Sequence, residues 1–445
     1  MTAANISAKN LALLTAVAAP LASLSLSLTT ILPQDLTRNH GVTLAQAGFA
    51  FMIIRLTDIA IDPFLGSLMD RTRSRLGRYQ IWILGGSLPL GVGVLLCFFP
   101  PAQVSFPYLI FALATAYLGF SIMALSHLAL CAAQTDDYAA RGKVFAWWQV
   151  YTTIGLLVAM LLPKLLDGRL GLDLVQWMGI TILGLITTST LATVFLSKAG
   201  PAKAPGAHGG FKAYLGLFAL PSTRRVMLAE LFLGLSAGIA AVTGLMFITS
   251  VKHFTIGDFG SQLVIYFLVG MISSPAWAWI SARMEKHRAL MLGAICLSLS
   301  QLIFLLVPPG NLLFLLLVPA VFGGFSYTSV SMLPRAMLAD VADEERLLHG
   351  SDRTALLFAL LTGIFKLGHA LSVGIGFLAL DAFGYVPALG ADNSPAALTG
   401  LAVVYGGFTT VCAMIAFCAM IRYPLTGRRH SEIRAALEKL DGAKA

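Results

Sequence analysis

Long apolar runs separated by short polar clusters make up most of this chain. A helix that crosses a bilayer needs about 20 apolar residues, and twelve runs approach or exceed that length. The runs occupy positions 11–33, 44–69, 80–99, 106–133, 145–166, 174–197, 225–250, 260–282, 289–307, 311–338, 353–380 and 398–421. The pattern predicts an all-α membrane protein with twelve transmembrane helices.

The longest connection between these runs spans 198–224 and contains the sequence K-A-G-P-A-K-A-P-G-A-H-G-G. Its content of Pro, Gly and Ala is typical of a flexible linker. We therefore predict an N-terminal six-helix half (1–197), a cytoplasmic linker (198–224), a C-terminal six-helix half (225–422) and a cytoplasmic tail (423–445).

The tail after Pro424 has the pattern of a short amphipathic helix. Ser431 is the predicted N-cap, and Ile433, Leu437 and Leu440 fall on one stripe of that helix. We expect the helix to lie on the cytoplasmic surface of the membrane.

Composition supports the membrane interpretation. Hydrophobic residues make up 57% of the chain, charged residues only 11%, and the mean hydropathy is +0.82, whereas soluble proteins carry about 25% charged residues. The first ten residues are polar and the next apolar run is too long for a signal peptide, so we expect that run to be a spanning helix. The five cysteines form no C-x-x-C pair and lie in or beside apolar runs, which indicates neither disulfides nor a metal site.

The net charge of +9 follows a topological pattern. Arginines and lysines are frequent in one set of connections, whereas the opposite set holds only Arg38, Lys164, Arg169 and Lys252. Because positive residues stay on the cytoplasmic side, the pattern predicts a multi-pass protein of the inner (plasma) membrane with both termini cytoplasmic. This explains the basic pI near 9.4 without a nucleic-acid partner.

Two carboxylates interrupt the second apolar run. Asp58 and Asp62 are one helical turn apart and share a face, and Arg55 lies one turn earlier on about the same face. An acidic side chain at membrane depth costs about 2.5–3.5 kcal/mol on insertion scales. The group therefore indicates an ion path; the alternative is a structural salt bridge between Arg55 and Asp58.

Five stretches together resemble a known family. In chain order they are R-L-T-D-I-A-I-D-P-F-L-G-S-L-M-D-R-T-R-S-R-L-G-R-Y-Q-I-W-I-L (55–84), A-A-Q-T-D-D-Y-A-A-R (132–141), M-L-A-D-V-A-D-E-E (337–345), F-K-L-G-H-A (365–370) with F-G-Y-V-P (383–387), and Y-P-L-T (423–426). They resemble the glycoside-pentoside-hexuronide:cation symporters, the melibiose-permease-like family of the major facilitator superfamily. The resemblance covers essentially the whole chain and implies the major facilitator fold.

The resemblance also implies roles for single residues. Asp58 and Asp62 match the carboxylates of the coupling-cation site, Arg55 the neighbouring arginine, Lys366 a lysine that reaches the carboxylates, and Ser121 a hydroxyl ligand. We assign a cytoplasmic gate to five charged residues of the connections: Asp70, Arg71, Arg78, Asp137 and Arg141. Glu230, the other acidic residue within a run, is expected to reach water or Arg225 and to be structural or gate-related.

Two departures from the family pattern affect the prediction. Sodium-using members carry an asparagine just before the second aspartate, where this chain has Ile61; losing that oxygen favours H+ over Na+ as the coupling ion, although Thr57 or Ser121 offers an alternative oxygen. The two aspartates that hold sugar in galactoside-binding members are Ala22 and Ala124 here. A melibiose-like disaccharide is therefore disfavoured.

Four residues remain as candidates for contacts with the solute: His127, Trp148, Gln149 and Trp277. His127 lies three residues after the lost aspartate position, and the alternative for it is a hydrogen bond to a neighbouring helix. The aromatic residues have ordinary helix packing or an interfacial belt as their alternative.

These features predict a secondary active transporter, a cation-coupled symporter of a small solute, with a sugar or glycoside as the first candidate. A transporter of an amphiphile or other non-sugar solute is the alternative on the same fold, and a non-transporting membrane sensor is a third. Neither enzymatic chemistry nor a cofactor beyond the coupling ion is expected. The expected partners are the solute and the lipid bilayer, and the expected state is a monomer.

Overall fold

The computed structural model describes residues 7–134, 138–166, 168–197, 216–350 and 353–442, which fold as helices without a strand. The apolar helices are α1 (Ala8–Asn39), α2 (Leu44–Arg71), α3 (Gln80–Phe98), α4 (Phe106–Ala132), α5 (Tyr138–Leu166), α6 (Leu174–Leu196), α7 (Pro221–Ser250), α8 (Ile256–Met284), α9 (Lys286–Leu305), α10 (Pro319–His349), α11 (Thr354–Ala382) and α12 (Pro395–Met420).

Each predicted run corresponds to one of these helices. Within the described ranges, eleven segments are long and apolar enough to cross a membrane, and α5 contains a shorter apolar part, Trp147–Leu162. The short helix Leu312–Leu317 precedes α10. The predicted all-α membrane fold is confirmed.

The chain separates into two compact units. Unit 1 comprises Met1–Gly206 together with Val386–Gly390, and unit 2 comprises Ala207–Tyr385 together with Ala391–Ala445. Unit 1 therefore contains α1 to α6, and unit 2 contains α7 to α12. Most of the predicted linker, residues 198–215, lies outside the described part of the chain.

Small residues bring the helices of unit 1 together. Gly93 of α3 lies against the backbone of Ala116 in α4, and Gly119 of α4 lies against the backbone of Leu90 in α3. A side chain at either glycine would collide with the opposite backbone, which is how membrane helices commonly pack. This close crossing fixes α4, the helix that carries Ser121.

The helices α1 and α5 cross in a similar way. Gly155 of α5 lies against the backbone of Ala19 in α1, and the Ser23 hydroxyl donates to the carbonyls of Ala19 (2.9 Å) and Gly155 (2.7 Å). One of the α1 hydroxyls is therefore used for helix packing.

The same device occurs in unit 2 between α7 and α11. Gly234 lies against Phe365, and Gly368 lies against the carbonyl of Leu231. The backbone approach at Gly368 fixes the part of α11 that includes Lys366.

The tail forms a helix, α13 (Gly427–Gly442), but it does not lie free on a membrane surface as predicted. Ile433 and Leu437 are 2% and 5% exposed and join the apolar core of unit 2, whereas Leu440 is 47% exposed. The predicted N-cap is also wrong, because the helix begins at Gly427 and the Ser431 hydroxyl donates back to the Gly427 carbonyl at 3.0 Å. The apolar stripe was predicted correctly, but Ile433 and Leu437 pack against the core of unit 2.

Ion pairs hold α13 to the acidic end of α10. His430 Nε2 lies 2.9 Å from an oxygen of Asp343, and Arg434 lies 3.7 Å from the same oxygen. Lys286 of α9 pairs with Asp340 at 2.6 Å. The stretch M-L-A-D-V-A-D-E-E (337–345) of α10 therefore binds both α9 and the tail helix α13.

The next two acids of that motif reach other helices. Glu344 accepts a hydrogen bond from Ser222 of α7, and Glu345, 1% exposed, pairs with Arg353 at 2.9 Å, just before α11. The acidic end of α10 therefore connects four elements of unit 2.

We predict that Leu437→Asp frees the tail helix whereas Leu440→Asp does not. Leu437 is buried in unit 2 and Leu440 is half-exposed, and burying a leucine stabilises by about 1.5–3 kcal/mol. Trypsin cleavage at the tail arginines, measured in detergent, should be roughly tenfold or more faster in Leu437→Asp and near wild type in Leu440→Asp. Equal acceleration in both variants would instead support a helix held by its whole apolar stripe in the amphiphile layer.

Candidate functional site

The helix α2 carries the two predicted ion-site carboxylates. A capping box begins this helix: Gln46 N donates to the Thr43 hydroxyl at 3.2 Å, and Thr43 N donates to the Gln46 side chain at 3.1 Å. The helix then continues to Arg71. Asp58 and Asp62 therefore share one helical face, as the sequence predicted.

Asp58 is held from the neighbouring helix α4. The hydroxyl of Ser121 donates to Asp58 Oδ1 in a short hydrogen bond, and Ser121 is only 2% exposed. An ionised carboxylate only accepts hydrogen bonds, so the serine hydroxyl acts as the donor. The structure brings these two predicted site residues together inside unit 1.

Arg55 forms a second hydrogen bond between α2 and α4. Its Nε donates to the Tyr117 hydroxyl at 2.9 Å, and its guanidinium carbon lies 5.6 Å from the centre of the Tyr117 ring. Arg55 and Asp58 are three residues apart on α2, and their partners Tyr117 and Ser121 are four apart on α4. Tyr117, rather than Asp58, therefore engages Arg55.

Sequence reasoning did not identify Tyr117. It lies one helical turn before Ser121 and is 7% exposed. A polar side chain one turn from a predicted ligand is the signal that could have identified it.

Asp62 lies one turn beyond Asp58, and its Oδ1 atom is buried. The nearby positions offer few oxygen atoms. Ile61 has none in its side chain, and Thr57 is exposed and donates its hydroxyl to the carbonyl of Ile53 at 2.8 Å. Ser121 is thus the hydroxyl that the described contacts place directly on a carboxylate.

Lys366 and His369 belong to α11 in unit 2. Both are partly buried, and the His369 ring lies 4.7 Å from that of Phe365. The implied approach of Lys366 to the carboxylates stays a prediction.

The predicted solute residues lie in different surroundings. His127 is 1% exposed, and its Nε2 lies 3.1 Å from the carbonyl of Leu14 in α1. Trp277 is fully buried, and its indole nitrogen donates to the Phe325 carbonyl at 2.7 Å. Trp148 is half-buried and Gln149 is exposed, both on α5. His127 and Trp277 thus each contact a backbone carbonyl of a neighbouring helix, and the solute roles of all four residues stay predictions.

The predicted gate is only partly described. Arg78 is half-buried in the connection between α2 and α3. Asp137 lies outside the described residues, as do the side chains of Asp70, Arg71 and Arg141. The gate therefore stays a prediction.

Glu230 of α7 is buried, 1% exposed, and its Oε2 has no hydrogen-bond partner among the described residues. The expected approach of Arg225 to Glu230 is wrong. Arg225 instead donates to the carbonyls of Ala419, at 3.2 Å, and Ile421, so it caps the end of α12. Arg335 of α10 is the charged side chain whose field acts on Glu230.

Comparison with known proteins identifies the family of this chain. A family model described as MFS/sugar transport protein matches residues 15–427. The uncharacterized symporter YnaJ of Bacillus subtilis (strain 168) is 25% identical, over 90% of this chain and 88% of its own length. The putative glycoside/cation symporter YagG of Escherichia coli (strain K12) is 24% identical, over 75% and 74%.

A more distant likeness covers part of the chain. The sodium-dependent lysophosphatidylcholine symporter 1 of Gallus gallus is 28% identical over 41% of this chain and 34% of its own length.

The crystal structure of the nucleoside transporter NupG has a TM-score of 0.68 at 15% identity and covers 94% of this chain and 100% of its own. Its likeness shows the fold alone. The family match over nearly the whole chain and the long apolar helices lead to one conclusion: the chain belongs to the MFS/sugar transport protein family and is a multi-pass membrane transporter, not an enzyme.

Proposed function

We propose that this transporter is a proton-coupled symporter of a small solute, a sugar or glycoside, in the inner membrane. Asp58 and Asp62 are its ion site. The observation that carries the proposal is the hydrogen bond from Ser121 to Asp58 between two apolar helices, with a second carboxylate one turn along the same face.

The Ser121 hydroxyl lowers the cost of a charged Asp58. Placing a charged aspartate at membrane depth costs about 2.5–3.5 kcal/mol, and a hydrogen bond to a charged group contributes about 1.5–3 kcal/mol. The hydrogen bond therefore offsets part of that cost.

The arrangement of oxygen atoms favours protons. A proton needs a single carboxylate oxygen, whereas sodium needs several oxygen ligands. Ile61 supplies none, and the Thr57 hydroxyl is exposed and hydrogen-bonded to its own helix. The Ser121 hydroxyl donates its hydrogen bond to Asp58.

Coupling follows from charge. Binding of the cation lowers the negative charge at Asp58 and Asp62, and this lowers the cost of the conformational change that carries them through the bilayer. Without the cation, an uncompensated charge at membrane depth opposes the change. Solute and ion then cross together.

The glycoside class is supported by a relative's name, that of YagG. The first apolar run, 11–33, carries no charge, and Ala22 and Ala124 occupy the positions of the two sugar-binding carboxylates, which argues against galactosides held in that way. One hydroxyl of that helix, Ser23, is committed to the Gly155 carbonyl. A glycoside held through few polar groups and an apolar face fits this helix best.

An amphiphile is the second candidate. Its support is the likeness of part of the chain to a lysophosphatidylcholine symporter, together with the uncharged first apolar run, 11–33. A non-transporting sensor has less support, because the ion-site residues Asp58 and Ser121 are present and in contact.

We predict that Asp62→Asn abolishes concentrative uptake of the solute but preserves exchange at equal concentrations. Asparagine imitates the neutral carboxyl and cannot release a proton. Uptake into proteoliposomes under an inward proton gradient should fall to the level of protein-free liposomes. Counterflow of labelled solute should persist.

Asp258→Asn is the matched control, because Asp258 is the third residue of α8 and its side chain accepts a hydrogen bond from the N-cap Thr255 N–H, which an asparagine oxygen can also accept. It should accumulate solute as the wild type does. Wild-type accumulation by Asp62→Asn would contradict the ion site.

We predict that glycosides, rather than lysophospholipids, stabilise the purified protein. A ligand present at about 100 times its Kd adds about 2.7 kcal/mol to the stability of the native state. A thermal-shift series with glycosides of different aglycones and with lysophosphatidylcholine measures this. Stabilisation by lysophosphatidylcholine alone would select the amphiphile and reject the glycoside.

A further inference from the structure

A polar cleft of about 650 Å³ lies at the end of unit 1 where α2 and α3 are joined. It is formed by the α2–α3 connection, the end of α4 and the end of α6. The residues that line it are Thr72, Arg73, Ser74, Arg75, Leu76, Gly77, Arg78, Tyr79, Gln80, Leu130, Ala133, Gln134, Val194, Phe195 and Ser197. Three arginines are among them, and none of these lining residues is acidic.

The connection that carries the arginines has a defined conformation. Gly77 N donates to the Ser74 carbonyl at 3.2 Å, and Leu76 N donates to the Ser74 hydroxyl at 3.2 Å. Gly77 has a φ of +109°, and a side chain there would collide with Gln80. The turn therefore holds Arg73, Arg75 and Arg78 around one concavity instead of leaving them on a free loop.

The opposite wall is apolar and comes from the end of α6. The last turn of that helix, Ala192–Leu196, is a π-turn, a feature frequent at functional sites. Phe195 lines the cleft and is 55% exposed, and the adjacent Leu196 is 65% exposed. The cleft thus joins a basic floor to an apolar surface at the edge of the membrane-spanning segment.

A solvated loop that obeys the positive-inside pattern needs only charge. It needs neither a fixed turn nor an apolar wall beside the arginines. Arg73 and Arg75 are exposed in the cleft and have no part in the proposed gate. Arg73 and Arg75 beside the apolar surface of Phe195 and Leu196 fit a ligand with a negatively charged headgroup and an apolar chain.

We propose that this cleft binds the headgroup of an anionic phospholipid, with the phosphate against Arg73 and Arg75 and an acyl chain along Phe195 and Leu196. Arginine pairs with phosphate through two parallel hydrogen bonds. The position agrees with the expected orientation, because this end of unit 1 carries the basic connections assigned to the cytoplasmic side. The proposal stands apart from the solute and ion sites.

The test measures lipid binding to the full-length protein in detergent by native mass spectrometry. The probes are phosphatidylglycerol and phosphatidylcholine with identical acyl chains, and inorganic phosphate as competitor. Each basic residue near a headgroup contributes about fivefold in affinity, so Arg73→Gln/Arg75→Gln should weaken phosphatidylglycerol binding by roughly 30-fold. Phosphatidylcholine should bind weakly to both proteins.

The matched control removes the same charge elsewhere. Arg428 and Arg429 on the tail helix are 91% and 59% exposed, and Arg428→Gln/Arg429→Gln should keep wild-type affinity within about twofold if only the cleft reads the lipid. The charge-retaining Arg73→Lys/Arg75→Lys should keep part of the affinity, which separates lost recognition from a lost fold.

Four results would overturn the proposal: equal binding by the wild type and Arg73→Gln/Arg75→Gln, an equal loss in the tail control, equal binding of phosphatidylcholine, or full displacement by inorganic phosphate. The last of these would identify a site for small anions instead of a lipid site.

Discussion

The hydrogen bond between Ser121 and Asp58 is the contact on which this account of the protein depends. It holds a carboxylate of one membrane helix against a hydroxyl of the next, and this donor offsets part of the cost of the charge. The close crossing of α3 and α4 at Gly93 and Gly119 fixes α4, the helix that presents Ser121 to Asp58. The packing glycines therefore contribute to the position of Ser121.

The contact between Arg55 and Tyr117 explains why Arg55 forms no direct ion pair with Asp58 among the described contacts. Tyr117 accepts a hydrogen bond from the guanidinium and presents its ring to it. An arginine paired directly with Asp58 would hold the carboxylate in its charged form. In the proposed ion site, the engagement of Arg55 by Tyr117 favours exchange of the cation at Asp58.

A feature could be predicted from the sequence when the residues that form it lie close together in the chain. The apolar runs predicted the helices because a spanning helix must be apolar along its own length. Asp58 and Asp62 were predicted together because their proximity is local to one helix. The role of Ser121 came from the family resemblance, and the structure places it on Asp58.

The features that were missed depend on contacts between distant segments. The partner of Arg55 lies on another helix, and the docking of α13 requires Asp343 and the core of unit 2. An amphipathic stripe has the same appearance whether it packs on lipid or on protein. The basic cleft was also missed, since it needs the α2–α3 turn and the end of α6 together.

The most direct test of the proton ion site compares two driving forces. A labelled solute that stabilises the purified protein is offered to proteoliposomes with an inward proton gradient, an inward sodium gradient, or neither. The account predicts accumulation with the proton gradient, collapse on adding a protonophore, and little response to sodium. Accumulation driven by sodium alone and unaffected by the protonophore would contradict it and would make Thr57 and Ser121 the first candidates for sodium ligands.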